Sequence, residues 1–280
     1  MLKKPDLTVA YWTISGSFPG VAPEYSRFDF KERVEQASRA GFRGLGLWHA
    51  DLEHILERQT LQEMKQILDD NGIKYLEVEF LVDWFLDGEL KKQSDIRRKM
   101  LMTAAKALGA LQIKVGDFYN RKCTLSQLVD SFALLCHEAA EYGTRIAFEP
   151  MAVSMISSLT DCLAMIEGSG AGNGGIILDI WHVVNLGMAY GDIARWPANY
   201  LYGVEIEDGS FDRSSALTKK PIVNRKFCGE GDFDIAGFIR AVNQTGYDGP
   251  WGVEIFSQAL VGKPLEELTT RAFNTAINQF

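Results

Sequence analysis

The sequence predicts an α/β protein folded as a single (β/α)8 TIM barrel spanning residues 1–280, and three observations lead there. Short β-prone runs alternate with amphipathic helical segments along the whole chain, the pattern of parallel strands joined by crossover helices. Four runs in the second half each carry an acid at or near the carboxyl end: Ile146 to Glu149, Ile176 to Asp179, Tyr202 to Glu205 and Gly252 to Glu254. Barrel active sites sit at the carboxyl ends of the strands, so one closed barrel would bring those acids to a common mouth. The length of 280 residues suits one such barrel, which needs about 250. A doubly wound open sheet is the rival architecture. No repeat, low-complexity tract or linker calls for a second domain.

Strand one is expected over Leu7 to Ile14, followed by a loop rich in Gly and Pro up to Pro23. Phe30 to Ala40 has apolar residues at helical spacing and stops at Gly41, before strand two at Phe42 to Trp48. Leu52 to Asp70 is expected as one helix, with Leu61, Met64, Ile67 and Leu68 on one face. Strand three, Ile73 to Leu81, sends Glu77 and Glu79 to the same side by its period of two. A helix over Ser94 to Leu108 leads to strand four, Leu111 to Gly116, and a helix over Thr124 to Tyr142 leads to strand five with Glu149. Leu159 to Glu167, strand six with Asp179, strand seven with Glu205, a helix over Phe233 to Thr245, strand eight at Trp251 to Phe256 and a closing helix from Pro264 complete the alternation. The long polar connection from Ser210 to Gly231 exceeds ordinary loop lengths and is read as a lid or substrate contact.

A net charge of −8, from 29 basic and 37 acidic side chains, disfavours nucleic acid or an anionic membrane as the main partner and suits a small-molecule substrate. Cys123, Cys136, Cys162 and Cys228 lie far apart, which indicates reduced thiols rather than a disulfide framework or zinc ribbon. The amino terminus shows no apolar signal segment and no stretch of about 20 apolar residues occurs, so a cytoplasmic protein is expected.

A carboxylate buried at the end of an apolar strand is costly unless it is paired or binds a cation. Four strands each supplying one favour a divalent metal held by Glu149, Asp179, Glu205 and Glu254. The competing reading of each acid alone is a barrel-mouth salt bridge or a helix N-cap. Only four histidines occur, and oxygen-rich ligation suits Mn²⁺ or Mg²⁺, with Co²⁺ as an alternative, better than zinc. Glu149 and Glu254 are the expected acid/base pair. His182, three residues after Asp179, would face the same pocket and assist as a catalytic group, or else serve as a supporting histidine. His49, Trp12 and Trp181 lie near strand ends as substrate-binding candidates, against core packing. Arg225 and Lys226 would contact a polar substrate from the long loop, against an exposed charge run. Glu77 or Glu79 is expected to salt-bridge a lysine of a neighbouring strand, for example Lys114.

At these residues the chain resembles the sugar phosphate isomerase/epimerase superfamily of xylose-isomerase-like barrels. That superfamily also holds keto-sugar 3-epimerases, inosose dehydratases and isomerases, dehydroshikimate dehydratases and endonuclease IV. The resemblance rests on Phe148-Glu149-Pro150, Leu178-Asp179-x-x-His182, Glu205-x-Glu207-Asp208-Gly209, Gly229-Glu230-Gly231-Asp232-Phe233-Asp234, and Gly246-Tyr247-x-Gly249-Pro250 through Val253-Glu254. It implies metal ligation by Glu149, Asp179 and Glu254, and substrate binding by His182. On strand seven the family pattern is His-x-Lys-Asp, whereas this chain has Glu205 and Glu207 at the first two of those positions. Branches with an acidic strand seven resemble enzymes acting on oxidised glycosides, including the catalytic subunit of C-glycoside deglycosidases. A homo-oligomer or a small accessory subunit stands as a partner expectation beside the small-molecule substrate. The expected chemistry is proton abstraction beside a carbonyl of a keto-sugar or cyclitol, ending in isomerisation or epimerisation, or in β-elimination as a lyase. A non-catalytic sugar- or metal-binding barrel is the rival of a different class. A repair nuclease fits poorly, because its metal cluster draws on several histidines that this chain lacks.

Overall fold

The computed structural model describes residues 4–210 and 224–280. Strands β1 (Leu7–Val9), β2 (Gly44–Trp48), β3 (Tyr75–Leu81), β4 (Gln112–Val115), β5 (Arg145–Phe148), β6 (Gly174–Asp179), β7 (Leu201–Ile206) and β8 (Trp251–Val253) are all parallel. They close in sequence order, with β8 returning to β1 through pairs such as Leu7 with Trp251 and Val9 with Val253. Around them lie α1 (Tyr11–Ile14), α2 (Phe30–Ala40), α3 (His49–Leu56), α4 (Leu61–Asp70), α5 (Gly88–Leu108) and α6 (Leu125–Glu141). The ring continues through α7 (Leu159–Ser169), α8 (Ile180–Leu186), α9 (Tyr190–Ile193), α10 (Ile235–Thr245) and α11 (Leu265–Ile277). The (β/α)8 expectation holds, and the open sheet is excluded by the β8–β1 pairing.

Helix faces pack as their spacing requires. Leu128, Phe132, Leu135 and Ala139 of α6 are buried, as are Val34 and Ala37 of α2, and they join one large apolar core between strands and helices. Gly41 ends α2 in the left-handed region at φ 115°, a conformation few other residues tolerate.

Several boundaries differ from expectation. Strand one stops at Val9 and the chain turns into α1, because Thr13 docks its hydroxyl on the Val253 carbonyl at 2.9 Å instead of continuing the ladder. The segment expected as one helix from Leu52 to Asp70 is two, since Thr60 and Glu63 form a reciprocal capping box that starts α4 afresh. Helix α5 begins at Gly88 rather than Ser94, and β8 ends at Val253. Leu125, at the first position of α6, is 49% exposed although it falls on the same helical stripe as Leu128 and Phe132. The expected lid falls largely on residues 211–223, so Arg213, Lys219 and Lys220 lie outside the described residues.

Candidate active site

The barrel axis carries a column of polar side chains that alternate in charge. At its base, Arg145 of β5 donates to the Gln112 side chain at 3.1 Å and to the Tyr202 carbonyl at 2.9 Å, and Gln112 in turn donates to Glu77. One rung higher, two residues along β4, is Lys114. Its ammonium donates to both oxygens of Glu205 at 2.8 and 2.9 Å, and lies 3.2 Å from Glu254, 3.2 Å from Glu79 and 3.8 Å from Glu149. The period of two in each strand produces this focus, because Glu77 and Glu79, Gln112 and Lys114, and Arg145 and Ala147 all point inward. Glu205 pairs in register with Gly252, where a Cβ would meet the Glu205 Cγ at 2.6 Å. Only glycine leaves room there for the glutamate side chain.

The topmost cation is Arg225, expected as a substrate contact, which is 2% exposed and so does not belong to the exposed charge run that was the alternative. Its Nη1 donates to Asp179 at 2.8 Å, to Glu254 at 3.0 Å and to Glu207 at 3.1 Å, and its guanidinium lies over the Phe256 ring at 4.3 Å. The backbone holds it there. Arg225 N–H donates to the Phe256 carbonyl, and the next residue, Lys226, exchanges two backbone hydrogen bonds with Asp208. Asp208 also accepts from the backbone N–H groups of Gly209, Gly229 and Phe233, which fixes the turn carrying Gly229-Glu230-Gly231.

Charge is therefore unevenly matched. Glu79, Glu149, Asp179, Glu205, Glu207 and Glu254 are all at most 4% exposed, and among the described residues two buried cations, Lys114 and Arg225, face them. Burial pushes the Glu149 carboxyl up to about 8 and that of Glu79 up to about 7, and it raises Glu205 and Glu207 well above the usual carboxylate range. Burial acts on Asp179 in the same sense, but the Arg225 guanidinium and His182 beside it bring it down to about 2. Burial would lower Lys114, yet Glu205, Glu254, Glu79 and Glu149 raise it, so it stays an ammonium.

A family model described as xylose isomerase-like TIM barrel matches residues 34–275. The chain belongs to the xylose isomerase-like TIM barrel family. Within that family it is 25% identical over 267 residues to a 3-dehydroshikimate dehydratase of Pseudomonas aeruginosa, covering 92% of this chain and 39% of the relative. The chain thus spans well under half of that relative's length. It is 24% identical over 234 residues to an inosose isomerase of Halalkalibacterium halodurans, covering 81% of this chain and 82% of the relative. A solved structure described as IOLI protein with a binding zinc atom superposes with a TM-score of 0.84 at 19% identity, covering 98% and 97% of the two chains. A D-allulose 3-epimerase from Methylomonas sp. superposes with a TM-score of 0.74 at 18% identity, covering 99% of each chain.

The donor set fits the divalent cation that this xylose isomerase-like barrel implies. One ligand atom each from Glu149, Asp179, Glu205 and Glu254 lies within 4.8 Å of all the others, and all four residues are buried. Two buried carboxylate oxygens nearby, Glu79 Oε1 and Glu207 Oε2, have no hydrogen-bond partner. Buried carboxylate oxygens without a partner are groups whose burial a cation would offset.

The structure brings His182 to this cluster. Its Nε2 lies 3.5 Å from Glu149 and 3.7 Å from Asp179, Nδ1 has no partner, and burial lowers it to about 4, leaving it neutral. Asp179 caps α8 by accepting from Trp181 N–H at 2.7 Å, so the N-cap reading of that acid also holds. Trp12 packs in a separate apolar wall with Tyr11, Trp48, Phe80 and Met151, against which Phe256 also rests. His49 adjoins that wall, buried and lowered to about 3 by burial and then by Arg97, and its Nδ1 accepts from Phe80 N–H at 3.4 Å. Trp181 lies under the Arg225 guanidinium at 5.3 Å. Lys226 contributes its backbone to the Asp208 bridge, and Glu230 forms a bidentate pair with Arg271. The sequence pointed to Lys114 as a partner for Glu77 or Glu79, which holds for Glu79, but its contact with three further acids was not foreseen. That focus depends on barrel closure, which a single strand does not reveal.

Proposed function

We propose that this chain is an enzyme that removes a proton beside a carbonyl of a keto-sugar or cyclitol at the Glu149–Glu254 cluster, with a divalent cation as cofactor. The observation that carries this reading is Glu149. It is a buried carboxyl pushed up to about 8, 3.5 Å from a neutral His182 and within ligand distance of Asp179 and Glu254. A buried carboxyl held this close to a neutral imidazole and to two further acids is suited to general acid–base work. Glu149, Asp179 and Glu254 would hold the cation, with Glu205 as the remaining oxygen donor in reach. When bound, the cation supplies Lewis-acid polarisation of a carbonyl oxygen, and an oxygen donor set favours Mn²⁺ or Mg²⁺.

Glu149, once ionised, takes the proton from the carbon next to the carbonyl, and Glu254 is placed to return one. Delivery to the other face gives the epimer, and delivery to the neighbouring carbon gives the isomer. His182 is neutral and positions a substrate hydroxyl. The wall of Tyr11, Trp12, Trp48 and Phe256 offers an apolar surface to the C–H face of a ring.

Elimination is favoured as a second outcome by the dehydratase relative, whose match covers 92% of this chain. The same C–H proton goes to Glu149, the β C–O bond breaks, and the departing hydroxide takes a proton from the acid partner and leaves as water.

The test is deuterium wash-in from solvent into ketoses, inososes and 3-oxo-glycosides, followed by mass spectrometry, with ultraviolet detection of an enone for elimination. Exchange that stops in chelator and returns with Mn²⁺ is expected. Exchange unaffected by chelator, or absent from every substrate class, would overturn the proposal.

A further inference from the structure

We infer that the cavity between the start of α2 and the end of α3 binds a small oxyanion that also carries a hydroxyl, either hydrogen phosphate or the phosphate monoester of a small polyol. The cavity encloses about 340 Å³, and none of the carboxylates gathered on the barrel axis lines it. Arg33, which does line it, is 0% exposed. Its Nη2 donates to Asp51 at 2.5 Å, and its guanidinium carbon lies 5.5 Å from the Tyr11 ring centre and 5.9 Å from that of Phe30. The carboxylate and the two rings hold the side chain in place, yet Nε and Nη1 have no hydrogen-bond partner. A buried guanidinium with two unused donors is costly unless an acceptor meets them.

The surrounding charge favours an anion as that acceptor. Arg27 and Arg58 also line the cavity, both are exposed, and neither has an ion-pair partner among the described residues. Its two acids are already engaged, since Asp51 Oδ1 accepts from Ser26 N–H at 2.8 Å and Asp29 caps α2 by accepting from Lys31 N–H at 2.8 Å. Three guanidiniums thus stand against two carboxylates, a locally positive place in a chain of net charge −8. Helix α2 brings its amino-terminal end and α3 its carboxyl-terminal end, so their dipoles oppose and the guanidiniums decide the sign. Gln59 decides the kind of anion. Its Oε1 is buried in the same cavity without a partner, and an acceptor there calls for a donor on the ligand. Sulfate has none, whereas hydrogen phosphate or a polyol ester brings a hydroxyl.

The experiment is isothermal titration calorimetry of the metal-free full chain with inorganic phosphate, glycerol 1-phosphate and sulfate, so its outcome is independent of the metal-dependent reading above. One phosphate or one ester should bind per chain, and the tighter of the two identifies the source of the phosphoryl group. Sulfate should bind at least about tenfold more weakly, because it sets an acceptor against Gln59 Oε1. R33M should weaken phosphate binding by more than about tenfold, and R58Q, at an exposed position, by about two- to fivefold. Q59L should bring phosphate and sulfate to similar affinity, which a purely structural glutamine would not do. If R33M fails to fold, R33M/D51N, which removes both members of the buried pair, replaces it and should lose binding likewise. Failure of both phosphate and the ester to bind, sulfate binding as tightly as phosphate, or affinity unchanged in the Arg33 variant would each overturn the inference.

Discussion

Replacing Glu149 with Gln separates the proton-transfer role of this residue from its role in the fold, because the two readouts move in opposite directions. The amide keeps the volume of the carboxyl but accepts no proton, and loss of a general base costs typically ~10²–10⁴ in rate. Stability should change the other way. In the folded protein without metal the carboxyl is raised from 4.5 to about 8. The folded state therefore holds a proton that the unfolded chain has already released. The associated stability is fully present below pH 4.5 and is lost as pH rises through about 8. At pH 7 the acid costs the fold on the order of 3 kcal/mol relative to a neutral isostere, taking ~1.36 kcal/mol per pH unit above 4.5. Urea unfolding in chelator at pH 5, 7 and 8 should show E149Q at least as stable as wild type at pH 5 and increasingly more stable toward pH 8. Deuterium wash-in should be nearly abolished at every pH. A variant that exchanges at the wild-type rate, or that is less stable than wild type at pH 8, would refute the reasoning.

Two other substitutions test the column of charges. R225M removes the cation shared by Asp179, Glu207 and Glu254 and should cost about 3–5 kcal/mol in urea unfolding, because three buried acids lose a partner; a loss under about 1 kcal/mol would show that the acids re-pair at no cost. G252A places a methyl 2.6 Å from the Glu205 Cγ and should cost about 1–3 kcal/mol, visible as a lower midpoint in thermal melting, whereas an unchanged midpoint would mean that the side chain yields freely.

Most of the fold could be read from the sequence because it is written in periodicity. The apolar faces of α2 and α6 and the inward pair Glu77 and Glu79 follow from spacings of 3.6 and 2 alone. The break between α3 and α4 was also present, in Thr60-x-x-Glu63, but a continuous apolar face from Leu52 onward obscured a capping box lying inside it. The four acids were visible as a recurrence at strand ends. Arg225 was visible only as a substrate contact on a polar loop, and its pairing with the acids of β6, β7 and β8 arises only when closure brings them around it. The depth of burial that sets the protonation of Glu149 and Glu205 likewise arises from closure, which no local segment encodes.

The axial column from Arg145 through Lys114 to Arg225 has a consequence for how such a barrel can diverge. Each cation on this line is shared by acids above or below it, so a lone exchange leaves a neighbour without its partner in a place water does not reach. Replacements along this line are therefore expected to travel in couples, an acid arriving on one strand together with a base on another. Glu205 with Lys114 and Glu207 with Arg225 are the couples at which such joint replacement is expected.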